Sequence, residues 1–145
     1  MSLIVIKNKS DLKKRLTSLS FKKVNFIPTM GNLHDGHLSL IKKAKKNGFL
    51  NLVSIYINPL QFDDKNDLRN YPRTINQDIL KLKNSGVDMV FIPEKKFNNN
   101  DSFTLNVDQY SKKLCGLKRI GHFEGVATII LKFLFLIQPD NIFFR

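Results

Sequence analysis

Three short runs rich in β-branched and aromatic residues, each stopped by a proline, alternate with stretches of helical periodicity. That alternation limits this chain more than any other feature. The runs are Val24-Asn25-Phe26-Ile27 before Pro28, Leu50 to Ile57 before Asn58-Pro59, and Val87 to Ile92 before Pro93. Between them, Leu38, Ile41 and Ala44 recur at helical spacing before Asn47-Gly48, and Ile75, Ile79 and Leu82 before Ser85-Gly86. Ser10 reads as the N-cap of an earlier helix carrying Leu12, Leu16 and Leu19. Strands separated by helices require crossover connections. They predict an α/β fold: a Rossmann-like parallel sheet with helices on both faces.

The remaining segments are less regular. Residues 62–74 and 94–102 are polar and read as loops, and Phe103 to Val107 alternates like a strand. A helix from about Glu124 to Ile137 is apolar nearly all round and so is expected to be buried on most faces. Pro139 ends it, and Asn141 to Phe144 begins another strand. No repeat or linker interrupts the pattern, so residues 1–145 read as one domain.

Composition narrows the function. The formal charge is +12, yet the lysines are scattered in pairs between apolar residues. That is the pattern of solvated faces that attract small anions, and no nucleic-acid partner is expected. One cysteine, Cys115, allows neither an intrachain disulfide nor a cysteine metal cluster and fits a reducing compartment. The N-terminus does not read as a signal peptide, and Val126 to Ile137, broken by Lys132, falls short of a membrane span. A cytoplasmic protein with no membrane partner is expected.

Chemistry concentrates in Pro28-Thr29-Met30-Gly31-Asn32-Leu33-His34-Asp35-Gly36-His37, between the first strand of the pattern and the helix after it. Doubly wound folds bind phosphates there. Gly31 permits a tight turn, the helix end is expected to offer free N–H groups, and His34 and His37, three apart, can face one side. No P-loop lysine is present. Spacing alone leaves three uses open: phosphate binding by the imidazoles, a plain helix start, or metal ligation, for which no third ligand is evident. No metal site is expected. Asn58 and Gln61 follow the second strand, where a ligand-facing role and a simple surface turn both fit. Arg73 can anchor a carboxylate or serve structure, and structure is the better reading. Arg119 and His122 can approach a phosphate, or His122 can pack the start of the buried helix.

These strings resemble the pantothenate synthetase (pantoate–β-alanine ligase) family, within the His-x-Gly-His nucleotidylyltransferases. The resemblance rests on Pro28 to Ile41, on Asn58-Pro59-Leu60-Gln61-Phe62, on Asp67-Leu68-Arg69-Asn70-Tyr71-Pro72-Arg73-Thr74, and on Arg119-Ile120-Gly121-His122-Phe123-Glu124-Gly125-Val126-Ala127-Thr128. Leu60 stands where the family has threonine, and Ile120 where it has proline. The resemblance implies ATP-dependent condensation of pantoate with β-alanine through a pantoyl adenylate, with magnesium arriving on ATP and no tightly bound cofactor. It implies ATP contacts from Met30, Gly31, Asn32, Leu33, His34, Asp35, Gly36 and His37. His37 would be the proton donor, and His34 would steady the phosphates. It places Gln61, with Asn58, Thr29 and Met30, at pantoate and β-alanine, leaves open whether Arg119 and His122 are further contacts, and implies a homodimer. Beyond Phe144 the family continues with Gly-Glu-Lys-Asp, a Gln-Gln pair, a Ser-Ser-Arg loop and a lid domain. The resemblance therefore implies a chain truncated before the C-terminal lid domain. Two alternatives stay open: another nucleotidylyltransferase, or a non-catalytic remnant.

Overall fold

The computed structural model describes residues 2–98, 104–106 and 121–144. In chain order the elements are β1 (Ile4–Ile6), α1 (Lys9–Ser18), β2 (Val24–Thr29), α2 (Asp35–Ala44), β3 (Leu50–Ile55), α3 (Lys65–Asn70), α4 (Ile75–Asn84), β4 (Met89–Phe91), α5 (His122–Ile137) and β5 (Asn141–Ile142). Short 3-10 turns lie at Lys45–Asn47, Pro59–Gln61 and Lys95–Asn98. The five strands form one parallel sheet in the order β1-β4-β3-β2-β5. The chain steps from β2 to β3 to β4 in one direction, then returns to lay β5 on the other side of β2. That reversal makes the C-terminal end of β2 the switch point where open α/β sheets bind ligands.

Alternation along each strand feeds two cores. Phe26, Leu52, Met89 and Phe91 join Leu12 of α1 and Ile129, Phe133 and Ile137 of α5. Ile27, Val53 and Val90 join Ile41 and Ala44 of α2 and Leu82 of α4. Every residue of β3 is buried, as a strand covered on both faces must be. Helices therefore pack on both faces, as the pattern predicts.

Several details differ from the sequence expectations, each for a local reason. The Ile-Val-Ile run at the start forms an edge strand, β1, so the strand before the His-x-Gly-His turn is the second. Asn8, not Ser10, caps α1, its Oδ1 accepting from the Asp11 N–H at 2.8 Å. Pro28 does not stop β2, which runs on to Thr29. Phe26 bonds toward β5, and Pro28 points the same way, but β5 pairs only Asn25 and Phe26. The missing N–H therefore falls where the ladder has ended. The polar stretch 62–74 holds α3, capped by Asp64. Phe97 is buried within the expected loop 94–102. In α4, Ile75 is exposed and Asp78 takes the buried stripe with Leu82. Helix α5 starts at His122 and leaves Phe135 exposed. Of the strand expected at Phe103 to Val107, residues 104–106 are irregular, and its ends lie outside the described residues.

At the end of the sheet opposite the switch point, asparagines do the joining. Asn25 Nδ2 lies 2.9 Å from the Ala44 carbonyl, 2.9 Å from Asn47 Oδ1 and 3.1 Å from Asn51 Oδ1. Asn25 Oδ1 accepts from Asn47 Nδ2 at 3.0 Å and Asn141 Nδ2 at 3.1 Å. One fully buried amide thus ties β2 to α2, β3 and β5. Asn25→Ala removes the partner of two buried polar groups, the Ala44 carbonyl and the Asn51 side chain, each costing about 1–3 kcal/mol when left unpaired. We expect a loss of about 3 kcal/mol in urea unfolding; a change within 0.5 kcal/mol, the usual ~0.5 kcal/mol scale of surface substitutions, would refute this account of the join.

Gly125 sets how closely α5 meets the 3-10 turn at Pro59–Gln61. A Cβ there would overlap the Leu60 carbonyl and stand 2.9 Å from the Gln61 amide nitrogen. Gly125→Ala should cost about 1–3 kcal/mol through overpacking against backbone. An unchanged thermal midpoint would mean that the turn moves aside freely.

Candidate active site

The turn after β2 has two consecutive residues in the left-handed region, Gly31 at φ +78° and Asn32 at φ +50°. Glycine is needed at the first, because a Cβ would stand 3.1 Å from both Asp78 Oδ2 and Ile55 Cγ2. The turn's N–H groups face inward. Gly31 N–H bonds Thr29 Oγ1 at 3.2 Å, while Thr29 donates to the Ser54 carbonyl at 2.8 Å. Asn32 N–H donates to Asp78 Oδ2 at 3.0 Å and Leu33 N–H to Asp78 Oδ1 at 2.8 Å. Thr74 Oγ1 donates to the same carboxylate at 3.0 Å, and Lys81 Nζ to the Leu33 carbonyl at 2.5 Å.

Helix α2 opens on a reciprocal histidine cap. His34, the N-cap, accepts the Gly36 N–H at its Nδ1 (3.1 Å), and His37 Nδ1 accepts the His34 N–H at 3.3 Å. The rings lie 4.2 Å apart between centroids, so the expected pairing forms. With both Nδ1 atoms accepting, each neutral ring carries its proton on Nε2. The sequence reading expected free N–H groups at this helix end. Instead the Gly36 N–H is capped by His34, and those of His37 and Leu38 bond the His34 carbonyl. Three of the N–H groups at this helix end thus already have acceptors, and the two imidazoles stand beside them.

The second half of the site hangs on Asn58. Its side chain is 1% exposed. Oδ1 accepts the Leu60 N–H at 3.3 Å, and Nδ2 lies 3.0 Å from both Gln61 Oε1 and the Gly125 carbonyl. One amide between an N–H and two oxygens has a single consistent orientation. It makes Gln61 Oε1 an acceptor and leaves Gln61 Nε2 as the group that side chain offers to a ligand. His122 Nδ1 lies 2.8 Å from the Gln61 carbonyl, so here Nδ1 is the donor, the tautomer opposite to that of His34 and His37. His122 thus holds the Gln61 backbone from the start of α5.

A cleft of about 210 Å³ lies between the two halves, its walls including Thr29, Met30, His37, Gln61, Tyr71 and Phe133. The structure thus gathers Thr29, Met30, His37 and Gln61 at one cavity. His34, Asn32 and Asp35 are exposed beside it, Gly36 is half-buried, and Gly31 and Leu33 are buried. The Leu33 side chain belongs to the α2/α4 core, so only its backbone reaches the turn. Arg119 lies outside the described residues. Arg73 serves structure: its guanidinium donates to the carbonyls of Leu68, Arg69 and Tyr71 at 2.8–3.0 Å, at the end of α3, and not to a carboxylate. Among the described residues, no three His, Cys, Asp or Glu side chains converge as a metal site, and no helix is long and apolar enough to cross a membrane.

Sequence reasoning missed Tyr71, Asp78 and Lys81. Tyr71 packs edge-on against Phe62 at 5.5 Å, and burial, followed by the Asp78 charge, raises its phenol above the usual range. A polar residue one turn before Leu82 on the buried stripe of α4 was the available signal for Asp78.

Comparison with known proteins gives a consistent result. The family model described as pantoate-beta-alanine ligase matches residues 4–145. The chain is 40% identical over 145 residues to a pantothenate synthetase from Pseudothermotoga lettingae, covering 98% of this chain and 52% of that one. It is 54% identical over 125 residues to a bifunctional pantoate ligase/cytidylate kinase from Prochlorococcus marinus, covering 83% of this chain and 25% of that one. The crystal structure of pantoate-beta-alanine ligase from Francisella tularensis, complexed with beta-gamma ATP and β-alanine, matches with a TM-score of 0.92 at 37% identity. That match covers 97% of this chain and 56% of that one. The chain therefore spans between a quarter and little more than half of these relatives. With the switch-point turn, the histidine cap and the Gln61 cleft in place, it belongs to the pantoate–β-alanine ligase family.

Proposed function

We propose that this chain is the nucleotide- and pantoate-binding half of an ATP-dependent, AMP-forming ligase that joins pantoate to β-alanine. One observation carries the reading: His37 and Gln61 line a single small cleft at the switch point, and the His34 ring lies 4.2 Å from that of His37, exposed beside it. A volume of about 210 Å³ is below the ~300–1,000 Å³ of drug-sized ligand sites. It suits a small hydroxy acid and leaves the nucleotide on the rim, over exposed His34 and half-buried His37.

In the first step a pantoate carboxylate oxygen attacks the α-phosphorus of ATP, and the bond to pyrophosphate breaks. Charge grows on the phosphate oxygens, where the Nε2–H groups of His37 and His34 donate. Gln61 Nε2 donates to a pantoate oxygen and holds the attacking group in line. In the second step the β-alanine amine attacks the acyl carbon, and AMP departs. Magnesium arrives with ATP and is held by its phosphates. Met30 and Thr29 wall the cleft, and Tyr71 adds a phenol at its side. A homodimer, which rests on the sequence resemblance, and a cytoplasmic location, which rests on the composition, belong to the same reading.

The test is pyrophosphate release from Mg-ATP by this chain with and without pantoate, alongside calorimetric titration of each ligand. Pantoate-dependent release, reduced about 10²-fold or more in His37→Ala, is the expected result. Failure of the chain to bind either ligand overturns the reading. Binding without release confines the chain's role to binding.

Tyr71 gives a second check. Its folded pKa lies above its unfolded value of about 10, so the native state holds the phenolic proton more tightly. The stability this contributes is fully present below pH ~10 and is lost as pH rises through the folded value. Ultraviolet titration should show a late tyrosinate phase that Tyr71→Phe removes. Ionisation at or below pH ~10 would contradict the burial described.

A further inference from the structure

We propose that Asp78 is a positioning residue for nucleotide binding, an internal anion that occupies the backbone nest of the switch-point turn. The inference rests on the nucleotide reading above and concerns how that site is held in shape. Successive N–H groups around left-handed residues form a concavity that glycine-rich loops turn toward phosphate. Here the same kind of concavity, built on Gly31 and Asn32, points at a side chain of the protein. The two carboxylate oxygens of Asp78 take one N–H each, from Leu33 at 2.8 Å and Asn32 at 3.0 Å. Asp78 is 0% exposed, and Gly31 leaves only a 3.1 Å gap between its own Cβ position and Oδ2. Thr74 Oγ1 braces the carboxylate from the start of α4, and Lys81, one turn further on, holds the Leu33 carbonyl.

A phosphate cannot also use the Asn32 and Leu33 N–H groups. Its recognition passes to the two imidazoles, whose placement depends on the residue that follows the clamp: Leu33 leads straight into the N-cap His34. Asp78 thus acts through the turn on His34 and His37 and touches neither the nucleotide nor the reacting atoms.

Asp78→Asn tests this, because an amide keeps the shape but turns a donor toward one of the two N–H groups. Leu82→Val is the control, a core change on the same helix one turn away. The chain has three histidines, and at pH ~8, above the ordinary imidazole pKa of about 6.5, their long-range proton–nitrogen NMR spectra report tautomer. Wild type should show the Nε2–H form for His34 and His37 and the Nδ1–H form for His122. Asp78→Asn should shift the first two toward a tautomer mixture, leave His122 alone, and weaken Mg-ATP binding at least tenfold at a temperature where both variants are folded. Leu82→Val should leave all three histidines and the affinity unchanged. Unchanged histidine signals in Asp78→Asn overturn the proposal, as does an equal effect from Leu82→Val. Should Asp78→Asn fail to fold, Lys81→Met removes the second strut, and unperturbed His34 and His37 signals in it also overturn the proposal. If wild type does not bind Mg-ATP, the nucleotide reading fails, while the histidine spectra still decide whether Asp78 positions the turn.

Discussion

A carboxylate sealed from water is costly unless donors surround it, and the carboxylate of Asp78 is fully buried. Its donors are two backbone N–H groups of the turn after β2 and one hydroxyl from the start of its own helix. Hydrogen bonds to a charged acceptor are each worth about 1.5–3 kcal/mol, roughly twice neutral ones. That surplus offsets the strain of a non-glycine residue, Asn32, at positive φ. The dependence runs both ways: without the turn the carboxylate has no donors, and without the carboxylate the turn has no reason to hold two left-handed residues. The effect extends to Tyr71, whose phenol is kept protonated by burial and, secondarily, by the same charge.

The three histidines show how far local acceptors and donors decide chemistry that residue type leaves open. His34 and His37 each meet a backbone N–H at Nδ1, so Nε2 carries the proton. His122 meets a carbonyl at Nδ1, so Nδ1 carries it. Two rings therefore carry Nε2–H beside the cleft, and the third holds the Gln61 backbone through Nδ1. The sequence reading left His122 between a ligand contact and a packing role at the start of α5; in the structure its Nδ1 bonds the Gln61 carbonyl. Which tautomer each ring adopts follows from the backbone around it and could not be read from the motif.

The alternation of strands and helices, the turn at the end of β2 and the pairing of His34 with His37 were legible because they depend on short-range spacing. Pattern also located the core faces of α2 and β3. Asp78 was not legible, since its partners lie 45 and 46 positions away in sequence. Asn58 looked like a ligand-facing residue because it follows a strand, yet it is buried by the glycine of a helix 67 positions on. Ile75 and Asp78 exchanged roles on α4 for the same reason. Periodicity proposes a buried stripe, but the neighbour beneath decides which residue fills it. Where that neighbour is a turn rich in N–H groups, an aspartate fits the stripe better than an isoleucine.

The two halves of the site are held from opposite faces of the sheet. Helix α4 packs with α2 and fixes the turn and its histidines. Helix α5 packs with α1 and fixes Asn58 and Gln61 through Gly125 and His122. The two helices therefore reach the cleft from separate cores, with β2 and β3 between them. Those strands share the most extensive register in the sheet, six consecutive pairs from Val24–Leu50 to Thr29–Ile55. The Thr29 hydroxyl adds a bond to the Ser54 carbonyl at the end where the site begins. Under the proposed function, alignment of an anion at the imidazoles with an acid at Gln61 rests on the stiffness of one strand pair. A small shift of either helix would move one half of the site relative to the other. In the proposed reaction, which needs an attacking oxygen in line with phosphorus, a misplacement of about 1 Å can cost on the order of 10²-fold in rate. The close backbone contact at Gly125 and the clamp at Asp78 guard against that displacement, one on each face.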